Sequence, residues 1–285
     1  MDLRNTTHYY TFVVIMKYTT VLTIAGSDSG GGAGIQADIK TISAIGCYSA
    51  SAITAITAQN TCGVNAIQTL SPQIVKEQIE SVATDIEIDA IKIGMVSEPD
   101  IIEVISDFIK DINNIPIVFD PVLVSTSGHI LTQSNTIDLI TTHIIPYCTL
   151  VTPNIFEAER LTNISISTEE DMINACYEIQ RYGCQNVLIK GGHSNSDIIT
   201  DILISKDKIF KFSATKILSQ NTHGTGCTLS SAIASYLALG NTLPDAVEKG
   251  KTFITNAIKS GKDVKTGKGH GPVNHFFRPI KMIIK

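Results

Sequence analysis

The sequence predicts an α/β fold with a mostly parallel central sheet and helices on both of its faces. Strand-like runs of β-branched and apolar residues alternate with segments of helical period from one end to the other. A glycine-rich turn separates the first strand from the first helix. No fixed-period repeat, low-complexity tract or obvious linker interrupts the rhythm. A chain that alternates in this way covers a parallel sheet with its helices.

The first strand is expected over residues 20–25 and the first helix over 33–44. Residues 49–58, small and β-branched, read as the second strand. Ser71 and Pro72 supply an N-cap and a first-turn proline for a helix whose Ile74, Val75, Ile79 and Val82 are expected on one face. A strand at 90–93 follows. Ser97 with Asp100 reads as a capping box ahead of a helix at 101–109, and 115–119 as a buried strand. Short strands at 150–152 and 187–189 flank a helix at 169–182 that ends on Gly183, a C-cap residue. Residues 198–204 and 208–212 read as a hairpin at a sheet edge, with Lys206 and Asp207 near its turn. Two consecutive helices, 224–239 and 245–260, close the pattern.

The chain has 285 residues, 43% hydrophobic and 17% charged, enough to bury one large core. One domain over 16–285 is expected. Because Met16 and Lys17 immediately precede the first strand, residues 1–15 read as an N-terminal extension set by start-codon choice. The net charge of -5 offers no broad attraction for nucleic acid or an acidic membrane, which leaves a small molecule as the expected partner. Six cysteines without a CxxC pair fit a reduced, cytoplasmic compartment. The apolar stretch 9–16 is shorter than the ~18 residues of a membrane helix, and no small-residue cleavage site follows it. Neither an anchor nor a signal peptide is expected.

The loop of residues 25–34 lies between a strand and a helix, where backbone amides and the helix start favour an anion or polar ligand. Its Gly32-x-Gly34-x-x-Ala37 formally matches the dinucleotide fingerprint, but no acidic residue occurs between Asp38 and Glu77 to hold a ribose. A nicotinamide oxidoreductase is therefore disfavoured; glycines serving only a tight turn remain an alternative. A second cluster, His223-Gly224-Thr225-Gly226-Cys227-Thr228, opens a long apolar helix, whose free amides suit charge that develops in phosphoryl transfer. Cys227 falls in the first turn, where a thiol pKa is expected to drop below ~8.5; the alternative is a small buried filler.

Three polar clusters fall at expected strand ends, where ligands gather in open α/β sheets: Asp120-Pro121, Thr152-Pro153-Asn154-x-x-Glu157 and Lys190-Gly191-Gly192-His193. Glu157 and Asp120 suit a hydrated magnesium ion, and Lys190 a phosphate. The structural alternatives are Asn154 as a helix N-cap, Glu157 as a first-turn acid and Lys190 as a solvated charge. The Walker A motif and the G-x-S-x-G elbow are both absent, which sets aside P-loop and serine-hydrolase chemistry.

Taken together, AGSDSGGGAGIQAD at 25–38, KIGM at 92–95, Asp120-Pro121-Val122, TPNIFE at 152–157, KGGH at 190–193, NTHGTGCT at 221–228 and GKGHGPVNHF at 267–276 resemble the hydroxymethylpyrimidine/phosphomethylpyrimidine kinases. The resemblance spans residues 21–277. It implies a ribokinase-like fold, ATP with Mg2+, and two phosphorylations, of the pyrimidine's hydroxymethyl group and then of the monophosphate. It implies that Gln59 reads the aminopyrimidine, since a carboxamide offers both a donor and an acceptor; a solvated strand end is the alternative. Gly26, Asp38, Met95 and Val122 would line the same pocket. Cys227 would take the catalytic place with the Gly224 and Gly226 amides and Lys190, while Lys190, Thr225 and Asn154 would hold the nucleotide. A homodimer is implied as well.

One departure is the run of three glycines, 30–32, expected to loosen the substrate side. A lid, if present, is expected to include residues 125–129. Two other activities stay open on these residues: pyridoxal kinase, because some pyridoxal kinases are similar to this group, and a non-catalytic binder on the same fold.

Overall fold

The computed structural model describes residues 16–123, 134–192 and 197–285. The apolar stretch ahead of Met16, the lid candidate at 125–129 and His193 lie outside the described residues. The strands are β1 (Thr20–Asp28), β2 (Tyr48–Asn60), β3 (Gly63–Thr69), β4 (Ala90–Ile93), β5 (Ile117–Phe119), β6 (Leu150–Val151), β7 (Asn186–Ile189), β8 (Ile198–Ser205) and β9 (Lys208–Thr215). They form one sheet in the order β3-β2-β1-β4-β5-β6-β7-β8-β9. Its centre, from β2 to β7, is parallel. Antiparallel neighbours flank it, β3 at one edge and the β8–β9 hairpin at the other.

The helices are α1 (Gly34–Ala44), α2 (Pro72–Ala83), α3 (Pro99–Ile109), α4 (Ser134–Leu139), α5 (Ile155–Thr162), α6 (Glu169–Gln180), α7 (Thr225–Ala238) and α8 (Leu243–Gly261). A strand exposes alternate side chains to opposite faces, so β1 sends Val21 into the layer of α1, α7 and α8, and Leu22 and Ile24 into the layer of α2, α3, α5 and α6. Both faces are covered, which is why the central strands read as continuous apolar runs. Among the described residues no helix is long and apolar enough to cross a membrane.

Several boundaries move for identifiable reasons. Pro99 occupies the first helical position of α3, so the cap falls on Glu98, without a side-chain hydrogen bond, and Ser97 with Asp100 makes no capping box. In α2, Ser71 caps as expected and Val75 and Ile79 are buried, but Ile74 is 41% exposed. Positions 75, 79 and 82 share a face, whereas 74 is turned ~100° from 75. Helix α6 ends at Gln180 rather than 182, with Gly183 beyond it at φ +107°. Strand β3 has no counterpart in the sequence-based reading: GVNAIQT is mostly exposed and gains its strand only by pairing with β2.

The face assignment of α2 is testable by urea denaturation. Ile79→Ala should cost about 2–5 kcal/mol, and Ile74→Ala less than about 0.5 kcal/mol. Equal losses would contradict the packing.

Candidate active site

A cavity of about 890 Å³ opens at the C-terminal ends of the parallel strands, roofed on one side by the β2–β3 hairpin. The strands that end there deliver polar groups, Ser27 and Asp28 from β1, Asp120 past β5, Asn154 past β6 and Lys190 past β7, together with the apolar Met95 just past β4. The start of α7 closes the floor with Gly224, Thr225, Gly226 and Cys227.

The loop after β1 is drawn around one carboxylate. Asp28 accepts from the amides of Gly30 (2.8 Å), Gly32 (3.0 Å) and Ala33 (2.8 Å), and lies 2.9 Å from His223 Nε2. Burial opposes its ionisation, but His223 and these amides outweigh it and hold the carboxyl below its usual range. Three glycines in succession do not loosen this loop. A Cβ on Gly32 would stand 2.4 Å from His223 Cδ2, so close packing is what requires the glycine. Gly224, at φ +80°, is pressed so closely on the same loop that a Cβ would fall 1.8 Å from Gly32 O. No side chain caps α7, so its first-turn amides face the cavity without a side-chain acceptor from the cap.

Opposite this turn sits a charged cluster. Lys190 Nζ is 2.6 Å from Asp120 Oδ1 and 3.8 Å from Glu157 Oε2, and it is only 12% exposed, so it is not a solvated charge. Thr152 Oγ1 donates to Asp120 Oδ1 at 3.2 Å and Ser230 Oγ to Oδ2 at 3.3 Å. Burial disfavours the Asp120 anion, but Lys190 and Lys92 hold its pKa below the usual range. Glu157 behaves differently. Burial raises it to about 7 against the attraction of Lys190, with Asp120 adding repulsion. Its structural role is real too: Asn154 N–H donates to Glu157 Oε2 (2.7 Å) and Glu157 N–H to Asn154 Oδ1 (2.9 Å), a full capping box at the start of α5.

Asp38 corrects an expectation, because it does not line the cavity. It is fully buried, paired with Lys92 Nζ at 2.9 Å, and accepts from Thr23 Oγ1 and Ser231 Oγ, both at 2.6 Å. Lys92 lines the wall in its place. A lysine between isoleucines in a buried strand must be paired, a signal the sequence already carried. Cys227 lies on the cavity wall, partly exposed, with the Gly34 amide directed at its sulfur. Its expected low pKa is also corrected: burial, opposed by Lys92, pushes the thiol up to about 11.

Gln59 is not a free strand end. Its amide sits between Thr57 Oγ1 (3.1 Å) and His223 Nε2 (3.2 Å), while its backbone exchanges hydrogen bonds with Ser29 Oγ at 2.7 and 2.8 Å. The cavity brings it together with Gly26, Met95 and Val122, and a Cβ on Gly26 would meet Met95 Cε at 2.4 Å. Asp28, His223 and Lys92 were inside the quoted motifs, yet nothing in their spacing assigned them a task. A further pair on the cavity wall, Lys251 with Asp201 at 2.6 Å, carried no motif at all.

The raised pKa of Glu157 has a sign that can be checked. Its proton is held more tightly in the folded chain than at the reference value of 4.5, so folding is favoured at low pH and that advantage is lost as pH rises through about 7. Glu157→Gln keeps the cap and removes the titration. The stability of the unsubstituted protein relative to this variant, from urea unfolding, should fall between pH 4.5 and about 7; a flat difference would contradict the assignment.

The family description "Phosphomethylpyrimidine kinase" matches residues 28–274. A hydroxymethylpyrimidine/phosphomethylpyrimidine kinase of Rhizobium meliloti is 45% identical over 258 residues, covering 90% of this chain and 97% of the relative. A thiamine biosynthesis bifunctional protein of Geobacter sulfurreducens is 46% identical over 256 residues, 90% of this chain; the chain spans about half, 52%, of that relative's length. Among solved structures, a phosphomethylpyrimidine kinase from Clostridium difficile is 48% identical at a TM-score of 0.75, covering 84% of this chain and 99% of that one. A pyridoxal kinase from Staphylococcus aureus in complex with AMP-PCP and pyridoxal is 32% identical at a TM-score of 0.84, covering 94% and 99%. The ribokinase-like expectation is borne out, and the chain belongs to the phosphomethylpyrimidine kinase family.

Proposed function

We propose that the protein is an ATP-dependent kinase that phosphorylates 4-amino-5-hydroxymethyl-2-methylpyrimidine and then its monophosphate, supplying the diphosphate used in thiamine diphosphate synthesis. The observation that carries this reading is the opposition, within one cavity, of the open α7 turn at Gly224–Cys227 and the Asp120–Lys190–Glu157 cluster. The first offers amides to charge on a transferring phosphoryl group; the second offers a cation and carboxylates beside it.

The pyrimidine is placed under the β2–β3 hairpin, with Gln59 on the ring amine and adjacent ring nitrogen and with Gly26, Met95 and Val122 around the ring. Lys190, Thr225 and Asn154 are assigned to the nucleotide phosphates. Cys227 is assigned as the group that takes the proton from the attacking hydroxyl. Its raised pKa means that the thiol must first release its own proton to water as substrate binds, before it accepts the hydroxyl's, with the nearby Lys92 charge favouring the thiolate. The donor set suits Mg2+. Asp120 and Glu157 are two buried carboxylates on one lysine, with Glu157 Oε2 engaged by an amide, so they would hold the ion through water. When bound, the ion would neutralise phosphate charge.

Residues 16–285 are read as a single kinase domain, with 1–15 an extension, in a cytoplasmic homodimer. A second reading, pyridoxal kinase, is favoured by the 32% identity to the Staphylococcus aureus enzyme over nearly the whole chain.

Offered ATP, Mg2+ and hydroxymethylpyrimidine, its phosphate or pyridoxal, the purified protein should yield the pyrimidine mono- and diphosphates by mass spectrometry. Turnover of pyridoxal alone would favour the second reading, and no product from any of the three a non-catalytic binder. Cys227→Ala should lower kcat by about 10²–10³ with little change in pyrimidine affinity. Gln59→Ala should weaken pyrimidine binding about tenfold and spare kcat. Unchanged turnover in Cys227→Ala would remove the base assignment.

A further inference from the structure

We propose that His275 is a positioning residue for the phosphoryl side of the site: by donating its Nε2 proton to Thr228 Oγ1 it fixes the orientation of the first turn of α7. The inference rests on the kinase reading of that turn. His275 lies in the C-terminal segment, 4% exposed, with Nε2 3.1 Å from Thr228 Oγ1. The Thr228 hydroxyl gives its only proton to Gly224 O at 2.8 Å, so the ring nitrogen must be the donor in the contact between them. Burial, with the charge of Lys40, lowers the ring's pKa to about 4. The imidazole is thus a neutral, permanent donor rather than a proton carrier.

The consequence runs through one carbonyl. Gly224 O also accepts from Thr228 N–H at 2.9 Å, so Thr228 grips it twice, and His275 locks the hydroxyl that makes the second contact. A peptide is planar, so the Gly224 carbonyl and the Thr225 amide turn as one body. That body sets the direction of the next two amides, Gly226 and Cys227, which have no acceptor inside the helix. An anion hole depends on the aim of such amides to within fractions of an ångström.

The segment that carries His275 also grips the opposite wall. At the β2–β3 turn, Thr61 Oγ1 accepts from the amides of Lys268 (3.2 Å) and Gly269 (3.1 Å), and Thr61 O from His270 N–H (2.9 Å). Between these points, Gly271 O accepts from His223 N–H at 3.1 Å. Residues 268–275 therefore bracket the cavity, with the hairpin bearing Gln59 at one end and α7 at the other.

Three variants test the assignment: His275→Phe keeps the ring volume without the donor, His275→Gln restores an N–H, and Thr228→Val removes the hydroxyl while preserving shape. His275→Phe and Thr228→Val should each lower kcat about tenfold with the pyrimidine KM unchanged. Each should also speed amide hydrogen exchange in the peptide 222–230. His275→Gln should recover most of both. The double variant should be no worse than either single one, as expected for two members of a single relay. A lowered melting temperature with unchanged kcat and unchanged exchange would show a merely structural histidine and overturn the proposal. If the unsubstituted protein phosphorylates nothing, the kinase reading falls, and exchange alone decides the positioning role: faster exchange upholds it and unchanged exchange removes it. Should His275→Phe fail to fold, Thr228→Val and His275→Gln carry the same comparison.

Discussion

The Asp28 carboxylate, 3% exposed, accepts three loop amides and meets the ring of His223. Those partners belong to segments almost two hundred positions apart, the loop after β1 and the approach to α7. An ionised acid buried there is stable only because donors engage both of its oxygens, Gly30 N–H on Oδ1 and Gly32 N–H, Ala33 N–H and the His223 ring on Oδ2. In return it gathers amides that would otherwise repel one another into a rigid loop. Gly224 rests against that loop, and the Gln59 backbone exchanges two hydrogen bonds with its Ser29. The position of both ligand-facing walls thus follows from one carboxylate.

Beneath this frame lies a second layer of buried charge. Lys92 with Asp38 and Lys190 with Asp120 place two cations and two anions in the interior around Cys227. Burying such pairs seldom stabilises a fold, and hydrophobic replacements of the same volume often do better. Their use is electrostatic: Lys92 counters the burial that keeps the Cys227 thiol protonated, and Lys190 keeps Asp120 ionised while leaving Glu157 close to neutrality. Groups with such opposed tendencies, side by side in a cavity, are what a phosphoryl-transfer site requires.

Much of this was legible in the sequence, and the exceptions have physical causes. The inner parallel strands were read correctly because both of their faces are buried, which writes short apolar runs into β4 to β7 broken there only by Lys92 and the edge residue Asn186, while β2 was read from its small and β-branched residues. Strand β3 was not, because its exposed residues follow no period and its backbone pairing is set by β2. The glycine clusters and strand-end acids stood out through residue type alone. Asp38 was misplaced because a motif says which residues recur together, not which way a helix turns them. On α1, that rotation carries Asp38 into the core and leaves Lys92 at the wall. The thiol of Cys227 was misjudged for a related reason: a helix start lowers a pKa, but burial, which only the fold reveals, acts more strongly.

In the proposed kinase, one cavity holds a pyrimidine under Gln59 and a phosphoryl group over the α7 turn. A crystal structure with hydroxymethylpyrimidine and a non-hydrolysable ATP analogue tests it most directly. The ring amine is expected on the Gln59 side chain, and the hydroxymethyl oxygen facing the terminal phosphate across Gly224–Cys227. A pyrimidine bound away from Gln59, or a terminal phosphate turned away from the α7 amides, would contradict it.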